Sequence, residues 1–253
     1  MKAPARRRER PAWYAPRMPR RSTPSPPPLR GRFARLTRAW LVAALLAAPA
    51  WAHGSAAELS VTAHGRQRLD LASGRTVLED GGELTDRRSG VRLVAAWIAY
   101  AEGVEVVARE ARIEGDLGSV VAAEVTVDLA SGRLTATGGV AWERDGLEVR
   151  GGELRFDADA GIAWLAFGVV ASAPAASAEE VWVEIAGGRV LLVGPYRYAE
   201  GPLALSGGEG SSLQLDVVAT PGGPVYDART EVEPGWLASV ERLRRDAWAG
   251  ADE

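Results

Sequence analysis

Apolar and polar residues alternate with a period of two from Glu58 onward, which is the pattern of strands with one buried face. Turn-forming sequences such as Ala130-Ser-Gly132 and Asp159-Ala-Gly161 separate the alternating segments. The clearest of these segments are 124–128, 133–137, 140–144, 147–150 and 153–157. The pattern predicts an all-β protein built from antiparallel strands.

The strand pattern repeats along the chain. Residues 122–132 align with residues 151–161 at an offset of 29, and the hexapeptide at 70–75 recurs unchanged at 128–133. A fixed period of this size is typical of folds whose units stack on a shared face. The glycine pairs Gly138-Gly139 and Gly151-Gly152 fall inside predicted strands, where glycine marks a bulge or a bend. The sequence therefore predicts repeated strands that bend in the middle.

Alternation assigns one set of apolar side chains to the inner face of the bent sheet. An inner face of this composition forms either a groove for apolar ligands or a closed core, and the pattern alone leaves both open. The assigned residues are Val125, Val127, Leu134, Ala136, Val140, Trp142, Leu147, Val149, Leu154, Phe156, Ile162 and Trp164.

The period changes at the C-terminus. Trp236, Val240, Leu243 and Ala247 are spaced so that they share one face of a helix. Pro234 suits the first position of a helix. The spacing predicts an amphipathic helix over 234–250, which we expect to pack on one end of the sheet.

The net charge of −3 combines two segments of opposite sign. Residues 1–38 carry one lysine and eleven arginines against Glu9, whereas residues 39–253 carry 18 arginines against 32 acids. An acidic body repels phosphate backbones, which argues against nucleic acid as a partner.

An apolar run of 14 residues, Ala39 to Ala52, follows the basic arm. It is shorter than the roughly 20 residues that span a bilayer. A basic flank, a short apolar core and a small-x-small end are typical of a secretory signal peptide. We therefore expect residues 1–52 to be a disordered basic arm plus a signal peptide cleaved after Ala52. The alternatives are cleavage before Glu58 and a retained membrane anchor.

Composition argues against common enzyme classes. The chain has no cysteine, its two histidines are His53 and His64, and its one lysine is Lys2. The chain therefore has few of the residues that zinc sites, the Ser-His-Asp triad and Schiff-base chemistry require. The segment 157–161 begins like a calcium loop but lacks the further acids, so we interpret it as a plain turn. We expect no catalytic residues, no metal and no cofactor.

The segment 123–142 resembles the OstA-like family of lipopolysaccharide-transport domains, which includes LptA, LptC and the N-terminal domain of LptD. The resemblance rests on a sequence pattern: an acid, an alternating run that ends in Asp, a glycine turn and the motif Ala-x-Gly-x-Val. The same pattern begins again at Glu153. It is clear over about 120–170 and weaker on either side. The residues that fill the pattern are Glu124, Asp128, Gly132, Ala136, Gly138, Val140, Glu153, Leu154, Phe156, Asp157 and Gly161.

The resemblance implies a V-shaped antiparallel β-jellyroll over 58–232. It implies an exported, periplasmic protein that conveys lipopolysaccharide or a related glycolipid toward the outer membrane. The inner-face residues assigned above, Ala136 excepted, would bind the acyl chains. Partners would be other OstA-like domains, joined by pairing of strand edges, and membrane-associated proteins. Arginines such as Arg133, Arg144, Arg150 and Arg155 would have to line the rim for an anionic head group. The alternative is a secreted β-repeat scaffold with a closed core and no lipid cargo.

Overall fold

The computed structural model describes residues 59–87, 89–115, 118–144, 147–220 and 223–246. These residues form sixteen antiparallel strands and one helix. The first eight strands are β1 (Leu59–Ala63), β2 (Gln67–Asp70), β3 (Arg75–Leu78), β4 (Gly82–Asp86), β5 (Arg92–Ala101), β6 (Glu105–Gly115), β7 (Gly118–Asp128) and β8 (Arg133–Arg144). The others are β9 (Leu147–Asp157), β10 (Ile162–Ser172), β11 (Ala175–Glu184), β12 (Arg189–Val193), β13 (Tyr196–Glu200), β14 (Leu203–Gly207), β15 (Ser212–Thr220) and β16 (Gly223–Arg229), followed by α1 (Pro234–Asp246).

The long strands β5 to β11 each contribute to two half-sheets. Sheet I contains β1, β4, one half of each long strand, β13 and β14. Sheet II contains β2, β3, the other halves, β12, β15 and β16. The predicted fold class is confirmed: the protein is an antiparallel β-jellyroll of repeated bent strands with one short C-terminal helix.

From β7 to β11, the bends coincide with breaks in strand register. Between β8 and β9 the register shifts at Gly138-Gly139, and between β9 and β10 it shifts beside Gly151-Gly152. Gly138 and Gly139 have φ of 81° and 87°, which glycine adopts without steric cost. The glycine pairs predicted to bend the strands therefore do lie at the bends.

The repeated turn sequence closes hairpins at the free end of sheet II. Asp70 and Asp128 each accept the backbone N–H two residues later, at 3.0 and 2.8 Å, and the serine hydroxyl three residues later. Asp157 accepts Ala160 N–H at 2.9 Å in the matching turn. These side chains mimic a turn of backbone, which explains why the repeat keeps an aspartate at this position.

The space between the two sheets is apolar. Val125, Leu154 and Phe156 of sheet II and Val140 and Trp142 of sheet I are all buried there. The buried polar side chains among the described residues, Asp157 and Gln214, belong to the opposite face, because they pair with outward-facing Ile162 and Leu191. Burial of the inner face is therefore the main stabilising contribution to the fold.

Helix α1 packs on the outer face of sheet II, and not on an end of the sheet as predicted. Trp236, Val240 and Leu243 form its buried face, as the spacing predicts. They contact strand residues that include Trp182 and Leu191, which alternation leaves on the outside of the sandwich. The helix buries its apolar face against this apolar patch of the sheet.

Ile162 and Trp164 also lie on this outer face, so their assignment to the interior is wrong. The register pairs Ile162 with Asp157 and Ala163 with Phe156. Paired residues share a face of the sheet, so Ala163, and not Ile162, points inward with Phe156. The four-residue turn 158–161 reverses the phase of the alternation.

Several predictions concern residues outside the described part of the chain. They are the basic arm and signal peptide over 1–52, the cleavage site after Ala52, residue 58 at the start of the domain and residues 247–250 of the helix. Within the described residues, no helix is long and apolar enough to cross a membrane.

Candidate functional site

Two apolar cavities lie between the sheets. The first, of about 50 Å³, lies where the free ends of the two sheets face each other. Gly115 and Gly118, from a hairpin end of sheet I, line one side of it, and Gly132 and Ala158, from hairpin turns of sheet II, line the other. This cavity therefore marks the mouth of the bent sandwich. Its remaining walls are apolar side chains, among them Val120, Val127, Leu134, Trp142, Leu154, Phe156 and Ala163.

The second cavity, of about 60 Å³, follows the first toward the C-terminal strands. Sheet I contributes residues around Val149 and Val169, and sheet II contributes residues around Val181 and Leu215. Trp142 lines both cavities, so its indole forms the wall that they share. Together they trace an apolar path along the molecule, from Val91 beside the first cavity to Tyr226 beside the second.

The cavities are smaller than a ligand site. Sites that enclose drug-sized ligands have volumes of about 300–1,000 Å³. The inner side chains are closely packed, with Trp142 5% and Phe156 6% exposed. In this conformation the interior is a closed core with a narrow apolar mouth. An acyl chain could enter only if the two sheets moved apart.

Nine of the eleven residues predicted to bind lipid do point into the interior. Leu134 and Leu147 are half-buried and lie against the core, and they line the first and second cavities respectively. The other seven are buried: Val125, Val127, Val140, Trp142, Val149, Leu154 and Phe156. Ile162 and Trp164 lie under α1 on the far side of sheet II. Whether any of the nine touches a lipid stays a prediction.

Several residues that line the cavities were not predicted from the sequence. Ala163 was hidden by the reversed phase after the turn 158–161. Val120 lies on β7, before the segment 124–157 in which the alternation is clearest, and Val169 and Val181 lie on β10 and β11, after it. Tyr226 lies in a short strand after a Gly/Pro-rich insertion, where the repeat gives no signal.

The arginines expected at the rim interact mainly with acids of the same surface. Each of the four arginines has a partner, Arg144 included. The other three form ion pairs: Arg133–Asp157 at 3.3 Å, Arg150–Glu148 at 2.6 Å and Arg155–Glu153 at 2.5 Å. The Arg155 guanidinium also lies 5.2 Å from the ring centroid of Trp164. These pairs neutralise the arginines and weaken the case for an anionic head group at this rim.

The segment that begins like a calcium loop is a hairpin turn. Asp157 is buried and its oxygens accept from Ala160 N–H and from Arg133. Across the described ranges, no three histidine, aspartate or glutamate side chains are grouped closely enough to hold a metal ion.

Comparison with known protein families matched no family model to this chain, and comparison with curated proteins gave no match either. The resemblance to the OstA-like family therefore rests on the residues and the repeat described above.

Proposed function

We propose that this protein is an exported lipid-binding protein that carries acyl chains between its two sheets, with lipopolysaccharide or a related glycolipid as cargo in the periplasm. The observation that carries the proposal is the continuous apolar lining of the two cavities that meet at Trp142. The bent-strand jellyroll supports it, because the sheets are joined at the bends while their hairpin ends face each other across the mouth.

The mechanism is passive. Acyl chains would enter through the mouth, part the two sheets and bury their methylene groups against the inner face at roughly 0.8 kcal/mol per CH₂. The glycine bends provide the flexible positions about which the sheets would move. The head group would stay outside the mouth, in water.

Transfer along a bridge would use the edges of the sheets. Strands β1 and β2 form the edges at one end, and β14 and β16 form them at the other. Unpaired backbone groups on such edges can extend a sheet into a second copy or a related domain. Head-to-tail pairing would align the apolar interiors of successive domains.

Native mass spectrometry of the protein purified from its own cell envelope tests the proposal. We expect a bound glycolipid in the wild type and its loss in Trp142→Glu. Trp97→Glu provides the control, because Trp97 is on the outer face, where Arg109 lies over its ring at 4.8 Å. Because a buried glutamate can unfold a core, Ala163→Leu provides a second test, since it fills the first cavity and keeps it apolar. Lipid-free protein, well folded and from its native envelope, would refute the proposal.

The alternative is a secreted scaffold with a closed core and no cargo. The small volume of the cavities favours it, because the interior as described has no space for a chain. The two functions differ in the response to mutations in the interior. In a scaffold, Ala163→Leu would change the thermal midpoint and nothing else.

A further inference from the structure

The bend of β10 exposes apolar side chains that the equivalent bend of β8 lacks. At the repeat offset of 29 residues, Gly138 aligns with Phe167 and Ala141 aligns with Val170. The first position of each pair has a positive φ, 81° at Gly138 and 64° at Phe167, which glycine adopts without the strain that phenylalanine incurs. Phe167 is 69% exposed and Val170 is 54% exposed. The larger side chains of this bend therefore add apolar surface rather than core.

An open groove of about 540 Å³ lies beside this apolar surface. Val170, Ser177, Glu179 and Glu209 are among the residues that line it. Phe167 lies at its border, because the register shift between β10 and β11 places Phe167 and the glycine after it opposite the single residue Glu179. We call the surface formed by these five residues the bend groove. A groove of this size accommodates a few residues of a peptide.

The two acids of the bend groove are available to a ligand. Within the described ranges, no side chain or backbone group forms a hydrogen bond or an ion pair with Glu179 or Glu209. The next acid on β11 differs, because Glu180 pairs with Arg244 of α1. Residues 39–253 carry 18 arginines against 32 acids, so the longer-range field of this part of the chain also favours a cation. The bend groove therefore combines exposed apolar surface with negative charge that the protein does not neutralise.

We propose that the bend groove docks a basic segment of a partner protein, one that presents apolar side chains between arginines or lysines. The apolar side chains would pack on Phe167 and Val170, and the cations would pair with Glu179 and Glu209. An anionic lipid surface does not fit this site, because the two carboxylates would repel it. The site lies outside the interior, so the inference does not depend on the proposed lipid binding.

The test is fluorescence anisotropy of a labelled peptide amide, Gly-Arg-Leu-Leu-Arg-Gly, with the protein purified from its own cell envelope. Phe167→Gly should weaken binding about tenfold, since the leucines lose the surface on which they are buried. This variant introduces the residue type that the repeat has at 138, so it should fold as stably as the wild type. The double variant Glu179→Gln/Glu209→Gln should weaken binding about fivefold, as expected for two exposed ion pairs. Salt at about 1 M should have a similar effect, because the screening length falls to about 3 Å.

Two controls separate the groove from the general acidity of the protein. Glu143→Gln changes an exposed acid of sheet I away from the bend, and it should leave peptide binding as it is. A peptide with serines in place of its leucines should bind the wild type about tenfold more weakly, because only the charges remain.

Three results would overturn the proposal. The first is unchanged binding in both Phe167→Gly and the double glutamate variant. The second is equal binding of the serine peptide with an equal loss in Glu143→Gln, which would assign the binding to net charge alone. The third is a concentration-dependent dimer in sedimentation that disappears in Phe167→Gly, which would make a second copy of the chain the occupant of the groove. None of these results bears on whether the interior binds lipid.

Discussion

Gly152 lies directly beneath Phe167, so that a Cβ atom at position 152 would approach the Phe167 Cβ to 2.8 Å. Phe167 has φ of 64°, a left-handed conformation that bulky residues rarely adopt. It is 69% exposed and its ring meets Trp164 edge-on, with 6.4 Å between centroids. Strand β10 therefore bends at Phe167, which has a strained backbone, and Gly152 on the neighbouring strand β9 leaves the space that Phe167 occupies.

Substitution of Gly152 by alanine should destabilise the fold. The added methyl has no space unless Phe167 moves, and overpacking of this kind typically costs about 1–3 kcal/mol. The double variant Gly152→Ala/Phe167→Gly should recover most of the loss, because glycine at 167 removes both the clash and the strain. Urea unfolding followed by circular dichroism measures the four-member cycle. Gly208→Ala is the control, since nothing lies within 4 Å of its added Cβ. Additive effects would contradict the direct contact.

Trp236 anchors α1 to the sheet. It is 1% exposed among Ile162, Trp182 and Leu191, and the Arg189 guanidinium lies 5.3 Å from its ring centroid. Trp236→Ala should cost about 3–5 kcal/mol of the free energy of unfolding.

Loss of this anchor should release α1 and expose the apolar patch of sheet II that the helix covers. The Trp236→Ala variant should therefore self-associate, which light scattering would detect. Leu237→Ala, one residue along on the solvent side of the same helix, should have little effect on either measurement. If the helix is released and the variant stays monomeric, the patch under the helix does not drive self-association.

The sequence predicted the parts of the fold that depend on strict periodicity. Alternation placed Phe156 and Trp142 in the interior, and the glycine pair at 138–139 located a bend. Helical spacing identified Trp236 as a buried residue. These signals are local, so a single sequence is enough to find them.

Other parts depend on the register between strands, which a single sequence does not specify. The inward position of Ala163 follows from its pairing with Phe156 across a four-residue turn. The bends at Glu110 and Phe167 use non-glycine residues at positive φ, so the sequence gives no sign of them. Tyr226 and Val149 line the second cavity from different sheets, and only the folded structure brings them together.

Asp128 should make stability depend on pH in acid. Hydrogen bonds from the Ser131 hydroxyl, and then from backbone N–H groups, lower the pKa of its carboxyl below the ordinary value, against the effect of burial. A lowered folded-state pKa adds stability above the unfolded value of about 3.9, and this stability is lost as the pH falls through the folded-state pKa.

Asp128→Asn tests this. At pH 7 the variant should be less stable by up to about 1 kcal/mol, the scale of one hydrogen bond. The difference should shrink as denaturant titrations are repeated at pH 4 and below. Asp159→Asn, an exposed residue in the equivalent turn, serves as the control. A difference that stays constant down to pH 2.5 would show that the charge at position 128 is not linked to folding.

Alkaline unfolding offers a clean test of the Tyr198–Glu200 contact. The chain has five tyrosines, no cysteine and one lysine, Lys2, while arginine stays charged in this range. Tyrosines are therefore the main side chains that ionise as the pH rises through about 10.

Tyr198→Phe should lower stability at neutral pH by about 1 kcal/mol, because it removes the hydrogen bond to Glu200. Burial, then the hydrogen bond to Glu200, raises the pKa of Tyr198 in the folded protein. A raised folded-state pKa gives stability that is complete below the unfolded value of about 10 and is lost as the pH rises through the folded value. The wild type should therefore lose its advantage over Tyr198→Phe between pH 10 and 11.5 in thermal unfolding. Glu200→Gln should weaken this pH dependence without abolishing it, because burial persists. Parallel alkaline curves for the wild type and Tyr198→Phe would mean that Tyr198 ionises alike in both states.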